Sequence, residues 1–374
     1  MGNTLLTHSM IAKEAIIALE NNLVAAGLVH RDHSEDFAKN GDTVTVRKPA
    51  TFTASEYNGS TVSAQDADET GVAVKLDKLM DVTFAVTSKD LTLSIQDFRK
   101  QFIEPAMRAH AQAIDNALCA LYADVPYWSR SGDSTAWSSL KALTAARKTL
   151  NDNKVPFDDR QGLIGTTADA ALLGLDAVVN ADKSGSTDAL RNASIGKLLG
   201  FENYTDQNVD THTAGKGTTA ANAVVDLVAG YEVGDTEIHF DGLASALTVG
   251  DVLVMPDGNS HVVTVAGDLA TADQDVTVYP ALKTALANDD VCTIKNPDTA
   301  TEENLMFHRN AFGLVTRPLA PPMGAARVET VSWNGISMRV VYDYDRNLKS
   351  DVISLDCLWG VKTLTPELAC RAWG

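Results

Sequence analysis

Phe307-His308-Arg309-Asn310-Ala311-Phe312-Gly313-Leu314 opens the stretch that decides the reading of this chain. Pro318-Leu319-Ala320-Pro321-Pro322-Met323-Gly324 follows, then Ile336-Ser337-Met338-Arg339-Val340-Val341-Tyr342-Asp343-Tyr344-Asp345. Asp356-Cys357-Leu358-Trp359-Gly360-Val361-Lys362 and Thr365-Pro366-Glu367-Leu368-Ala369 close it. Apolar and polar residues alternate over much of it, which implies strands with one apolar face. Pro318, Pro321 and Pro322 form a rigid extended connector. Trp333, Tyr342, Tyr344 and Trp359 are expected in the core of a C-terminal sheet, with a ligand box as the alternative. No catalytic constellation is present in this stretch.

Working outward, residues 9–26 predict a helix. Ser9 is its N-cap, Ala12, Ile16, Leu19 and Leu23 share one stripe, and Gly27 is its stop. A core helix and an arm docked on a neighbour are equal readings of it. Residues 42–87 alternate through Val44 and Val46, Val72, Val74 and Leu76, and Val82, Phe84 and Val86. That predicts a long two-stranded ribbon with a polar tip turning at Asn58-Gly59. Such a ribbon is marginal alone and needs its own sheet or another subunit for support. Ser94 to Asp97 has capping-box spacing. Phe98, Phe102, Ile103, Ile114, Leu118 and Leu121 then mark a helix to Phe102 and a longer one from Pro105 to Ala123.

A mixed α/β stretch follows. Helices are expected over 136–150, 168–175 and 189–199, and strands at Leu163-Ile164-Gly165 and Gly200-Phe201-Glu202-Asn203-Tyr204. Residues 211–219 are small and polar and read as a linker. Beyond them lie short β runs divided by Gly and Asp: Ile238-His239-Phe240, Val252-Leu253-Val254, His261 to Val265, Val276 to Tyr279 and Val291 to Ile294. Even spacing of this kind predicts a small barrel or sandwich with its own modest core.

At 374 residues the chain implies about two to three domains. Hydrophobic residues make up 45% and charged residues 21%, a globular composition. No uninterrupted apolar run reaches the roughly 18 residues of a membrane-spanning helix. Met1-Gly2-Asn3-Thr4-Leu5-Leu6 lacks the regions of a secretory signal, and Leu6 stands where myristoylation needs Ser or Thr. Cys119, Cys292, Cys357 and Cys370 form no CxxC pair and read as reduced, partly buried thiols of a protein that folds in a reducing cytoplasm.

Net charge is −18, unevenly placed. Residues 205–300 carry fifteen Asp and Glu against three Lys, whereas residues 301–374 carry eight of each sign. A duplex-DNA binder concentrates positive charge on one face. This chain does not, so it would contact DNA only non-specifically.

GxSxG, HExxH and GxGxxG are absent. Gly215-Lys216-Gly217-Thr218 echoes a phosphate-binding loop but lacks its spacing and reads as linker. His30-Arg31-Asp32-His33 could be drawn as metal ligands, but a solvated turn is the better reading. Asp158-Asp159, Asp289-Asp290 and Glu302-Glu303 are adjacent carboxylates, which point apart on a strand and read as loop charges. No catalytic, metal or cofactor residue is expected, and the chain is not read as an enzyme.

The element order and the residues quoted first, with Gly196-Lys197-Leu198-Leu199-Gly200-Phe201-Glu202, resemble the major capsid (coat) proteins of tailed bacteriophages with the Hong Kong 97-type fold. The likeness is closest to the short-tailed-phage branch with an inserted β domain. It covers the whole chain in element order, and its wording is specific over about residues 194–209 and 305–374. The resemblance implies an α+β fold. Its parts would be an N-terminal arm (1–41), an extended β-hairpin loop (42–87) and a peripheral domain with a spine helix (88–129). An axial domain (130–219), an inserted β domain (220–297) and a return to the axial and peripheral domains (298–374) would follow.

The implied function is a structural subunit of an icosahedral virion, self-assembling into pentamers and hexamers around double-stranded DNA in the bacterial cytoplasm. Implied partners are other copies of the chain, a scaffolding protein and a portal, with a decoration protein as a further candidate and no membrane. Arg47, Lys48, Glu56, Tyr57 and Asn58, at the ribbon, are the expected subunit-interface residues. Some capsids of this fold crosslink Lys to Asn beside a buried Glu. Nothing identifies such a trio here, and Lys75, Lys78 and Asn58 are not evidence for it. The alternatives are another virion structural protein or a carbohydrate-binding surface protein. The latter predicts an aromatic platform in 220–297, where only Tyr231, Phe240 and Tyr279 are aromatic.

Overall fold

Alternation at residues 43–47 and 71–87 does produce strands, but they divide between two sheets. The structure, a computed structural model, describes residues 8–20, 23–31, 43–47, 71–87, 102–130, 137–185, 187–219, 221–270, 272–322, 327–333, 335–347 and 350–373. Thr43–Arg47 pairs antiparallel with Gly71–Lys75, Val44 opposite Val74 and Val46 opposite Val72. The chain then leaves this ribbon. Lys78–Thr87 runs antiparallel to Ser350–Thr363, from Lys78 opposite Trp359 to Thr87 opposite Ser350. The expectation of one ribbon over 42–87 is thereby corrected. Period two fixes which face of a strand turns inward, but not which strand lies beside it.

The chain divides into two units. The first comprises Met1–Asn22, His30–Ala111 and Gly313–Leu364. Its sheet has the order Phe312–Arg317, Ser350–Thr363, Ile336–Asp345, Arg327–Trp333, with Lys78–Thr87 also paired to Ser350–Thr363. Helix His8–Glu20 lies against Arg327–Trp333 and Ile336–Asp345, burying Ala12, Ile16 and Leu19 of the expected stripe and Ala15 beside them, whereas Leu23 lies beyond the helix and is half-buried. It ends short of residue 26. Gly27 sits inside a separate short helix, Ala25–Leu28, rather than stopping the first. Among the C-terminal aromatics Trp359 is buried, Tyr342 is half-buried and Tyr344 is exposed. Tyr344 is therefore not a core residue, and the side chain of Trp333 lies outside the described residues.

Helix Glu104–Cys119 carries the chain from the first unit into the second, with Pro105 in its first turn and a tighter turn, Ala120–Asp124, at its end. Proline there forfeits only an amide that has no helical partner. The expected cap at 94–97 and Phe98 lie outside the described residues.

The second unit comprises Leu23–Val29, Gln112–Phe312 and Thr365–Gly374. Its mixed sheet has the order Trp128–Arg130, Ala369–Trp373, Asn304–His308, Arg160–Ile164, Phe201–Thr205, Lys197–Leu198. Ala369–Trp373 and Asn304–His308 are buried at every residue, the mark of central strands covered on both faces. Helix Lys141–Asp152 contributes Leu143, Ala146 and Leu150 to the core beside Ile164, Phe201 and Met306. It begins at residue 141, where the Ser139 hydroxyl accepts from the Lys141 amide. The helix expected over 189–199 covers only Asp188–Asn192. Ala193 and Gly196 take left-handed backbone, and Lys197–Leu198 becomes an edge strand.

Between Thr205 and Asn304 the chain leaves this sheet and returns two strands away, with Arg160–Ile164 between. The excursion forms a closed six-stranded barrel: Asn222–Val225, Glu237–Asp241, Gln274–Tyr279, Ser260–Ala266, Val252–Val254, Val291–Ile294 and back. Phe240, Val263, Val276, Val278 and Ile294 lie in its core. Residues 211–219 are not an unstructured linker. Thr211–Thr213 pairs with Ala300–Glu302, and Lys216–Gly217 pairs with Leu243–Ser245. A Cβ on Gly217 would collide with the Asn222 carbonyl, so a composition that reads as linker serves close backbone contact.

Candidate functional site: assembly ribbon and barrel joint

The ribbon base rests on its own unit. Val44, Val46 and Val74 pack with Val315 and Leu364, while Thr43, Thr45, Ala73 and Lys75 face outward. Arg47 ends the first strand opposite Gly71. Lys48, Glu56, Tyr57 and Asn58 lie outside the described residues.

Among the described residues the cysteines and several charged side chains are committed to structure. All four cysteines are free and buried. Burial pushes the thiols of Cys292, Cys357 and Cys370 up to about 12 and that of Cys119 higher still, far from the reactive thiolate. Among the described residues no His, Cys, Asp and Glu group could hold a metal ion. His30 bridges to Gly313, and Asp32 and His33 lie outside the described residues. Lys216 extends to Asp298 at 3.3 Å on the surface and serves no phosphate loop. In the barrel Phe240 is buried, the Tyr231 hydroxyl accepts from the His239 amide, and Tyr279 donates to Glu367. These three aromatics therefore form no exposed platform.

Glu302 and Glu303 overturn their reading as loop charges. Glu302 accepts from the amides of Thr167 and Ala168, 3.0 Å each, at the start of helix Thr166–Leu173. A carboxylate there satisfies amides that lack helical partners. Glu303, 2% exposed, accepts from Arg371 Nε at 2.7 Å and from Trp373 Nε1 at 2.9 Å. Adjacent residues on extended backbone do point apart, and here each direction holds a partner. Residues 302–303 and residue 371 are far apart in sequence, so no local pattern announces the pair. Arg371 in an otherwise apolar terminal run, Leu368-Ala369-Cys370-Arg371-Ala372-Trp373, is the signal available.

Arg371 centres a joint between the sheet and the barrel. Its Nη1 donates to the Gly250 carbonyl at 2.6 Å, and its guanidinium lies 5.0 Å from the Tyr122 ring and 5.2 Å from the Trp373 ring. Trp373 stacks on Trp128 with centroids 5.6 Å apart, and Lys295 Nζ sits 4.7 Å over Trp128 from the barrel side. Beside it Asp251, fully buried, accepts from His212 Nε2 at 2.6 Å and from the amides of Gly215 and Thr248 at 2.9 Å. Burial and the Glu303 charge push the Tyr122 hydroxyl up to about 12, so it remains a neutral partner to His212 Nδ1 at 3.1 Å.

This architecture is the Hong Kong 97-type capsid fold. The chain resembles the solved structure of Mycobacterium phage Che8 at 17% identity and TM-score 0.51, over 93% of this chain and 90% of that one. The capsid structure of the cyanophage P-SCSP1u (13%, TM-score 0.49, 90% and 84%) and the mature capsid of bacteriophage PhiM1 (10%, TM-score 0.47, 90% and 82%) are further similar structures. Residues 239–371 match the family described as P22 coat protein - gene protein 5. No curated protein matches the chain. The coat-protein likeness thus covers residues 239–371, and the likeness to the Che8 structure covers the fold of nearly the whole chain.

Proposed function

We propose that this chain assembles as pentamers and hexamers into an icosahedral shell around double-stranded DNA, built in the bacterial cytoplasm. The observation that carries this is a capsid fold spanning 93% of the chain together with the coat-protein segment at 239–371. Charge supports the arrangement. The barrel region holds the acidic excess while residues 301–374 are balanced, which suits an outward barrel and an inner surface indifferent to DNA sequence. In this reading the barrel is an insertion into the axial domain. The ribbon beyond Arg47, with Lys48, Glu56, Tyr57 and Asn58, lies on a neighbouring subunit. Scaffolding and portal proteins, and a decoration protein, are its partners.

Negative-stain electron microscopy with light scattering tests this on purified recombinant protein, alone and co-expressed with scaffolding and portal proteins of the same phage. Closed shells, or rings of five and six, are expected. A subunit that stays monomeric in both preparations overturns the proposal.

A further inference from the structure

We propose that Arg371 is a positioning residue that clamps the barrel in one orientation on the sheet of its own unit, so that the barrel projects as a rigid arm. The covalent connection does not enforce this. The stem is a pair of three-residue strands, Thr211–Thr213 and Ala300–Glu302, and a short two-stranded ribbon twists readily and is marginal alone. Trp128–Ser260, Arg130–Asn296 and Tyr279–Glu367 hydrogen bonds cross the joint at its part-buried margin. The contact that crosses it fully buried is the Arg371 fork. It reaches Glu303 through Nε and the barrel's Gly250 carbonyl through Nη1, at 1% exposure. A planar guanidinium fixes direction as well as charge, which a lysine ammonium does not.

The barrel turn is shaped for this seat. Gly250 has φ +97°, and a Cβ there would lie 3.1 Å from the Tyr122 ring, so the turn presses its backbone directly on the aromatic. Glycine alone takes that conformation without strain. A buried ion pair adds little net stability over an apolar pair of the same volume. The gain at this site is therefore geometric: one angle out of many. The capsid reading enters only in the consequence, that angular differences between five-fold and six-fold rings are taken up elsewhere in the subunit.

The experiment is pulsed electron spin resonance on the full chain, labelled at Val228→Cys and Lys148→Cys. Val228 is 93% exposed on the barrel, and the Lys148 side chain is 78% exposed on helix Lys141–Asp152. The native cysteines are buried and leave the labels specific. In the otherwise unaltered chain the distance distribution is narrow. In the Arg371→Met/Glu303→Met pair, which keeps the joint apolar and filled, it broadens at least twofold. Hydrogen-exchange protection at Val276 and Val278 inside the barrel is unchanged. Arg371→Lys, with charge but no fork, gives an intermediate width. An unchanged width overturns the proposal. So does broadening accompanied by lost protection at Val276 and Val278, because Arg371 would then only stabilise the fold. Shell formation does not enter the measurement, so its failure and failure of the capsid reading are distinguishable.

Discussion

Replacing Phe240 by alanine asks whether the barrel stands on its own core. Phe240 is fully buried on a strand paired to Asn222–Val225 on one side and Gln274–Tyr279 on the other. Truncating a buried Phe to Ala costs about 3–5 kcal/mol, the transfer of the ring plus the cavity it leaves. A barrel of roughly 75 residues has a total stability of about 4–11 kcal/mol, so this one change removes about a quarter of it or more. The sheet core, built on Leu143, Leu150, Ile164, Phe201 and Met306, shares no residue with the barrel core. The loss should therefore stay in the barrel. Native-state hydrogen exchange reads both at once. The opening free energy at Val276 and Val278 should fall by about 3–5 kcal/mol, while Leu305 and Phe307 in the sheet should hardly change. Val228→Ala, at an exposed turn, should stay within about 0.5 kcal/mol. A fall under about 1 kcal/mol in the barrel, or an equal fall in barrel and sheet, would refute the reasoning; the second outcome would make the unit one cooperative core.

Glu303→Gln should cost about 3–5 kcal/mol by leaving Arg371 buried without a countercharge, whereas Glu303→Met with Arg371→Met should recover most of it; equal losses in urea titrations of the two would contradict this. Asp115, buried, accepts from the amides of Val24 and Ala26 at 2.9 and 3.0 Å. Burial, opposed by those two bonds, raises its carboxyl from 3.8 to about 6. The folded state thus favours the protonated acid, and stability is lost as pH rises from about 3.8 to about 6, by about 3 kcal/mol. Asp115→Asn should gain relative to the parent in melts at pH 7 compared with pH 4, and a pH-independent difference would count against it. Replacing residues 50–68 by a short Gly-Ser linker, which keeps Gly71–Lys75 paired to Thr43–Arg47, should leave a soluble subunit that forms no shells by electron microscopy; normal shells would remove the ribbon from assembly.

Periodicity and composition on their own determined the strand and helix faces. Val44, Val46, Ile114, Leu143 and Phe240 are buried where their spacing placed them, because burial of a regular element imposes its repeat on the sequence. The short β runs announced a barrel or sandwich, and the wording of 305–374 pointed to the capsid fold that the structure has. Tertiary structure alone decided partners. Lys78–Thr87 leaves the ribbon for Ser350–Thr363 because an apolar strand face is indifferent to which strand covers it. Residues 211–219 find strand partners at Ala300–Glu302 and Leu243–Ser245, and Gly217 admits the Asn222 carbonyl where a side chain would not. Glu303 and Arg371 meet across 68 positions of sequence. A buried charge is tolerated only beside its countercharge, and that companion is supplied by the fold, not by the neighbouring residues.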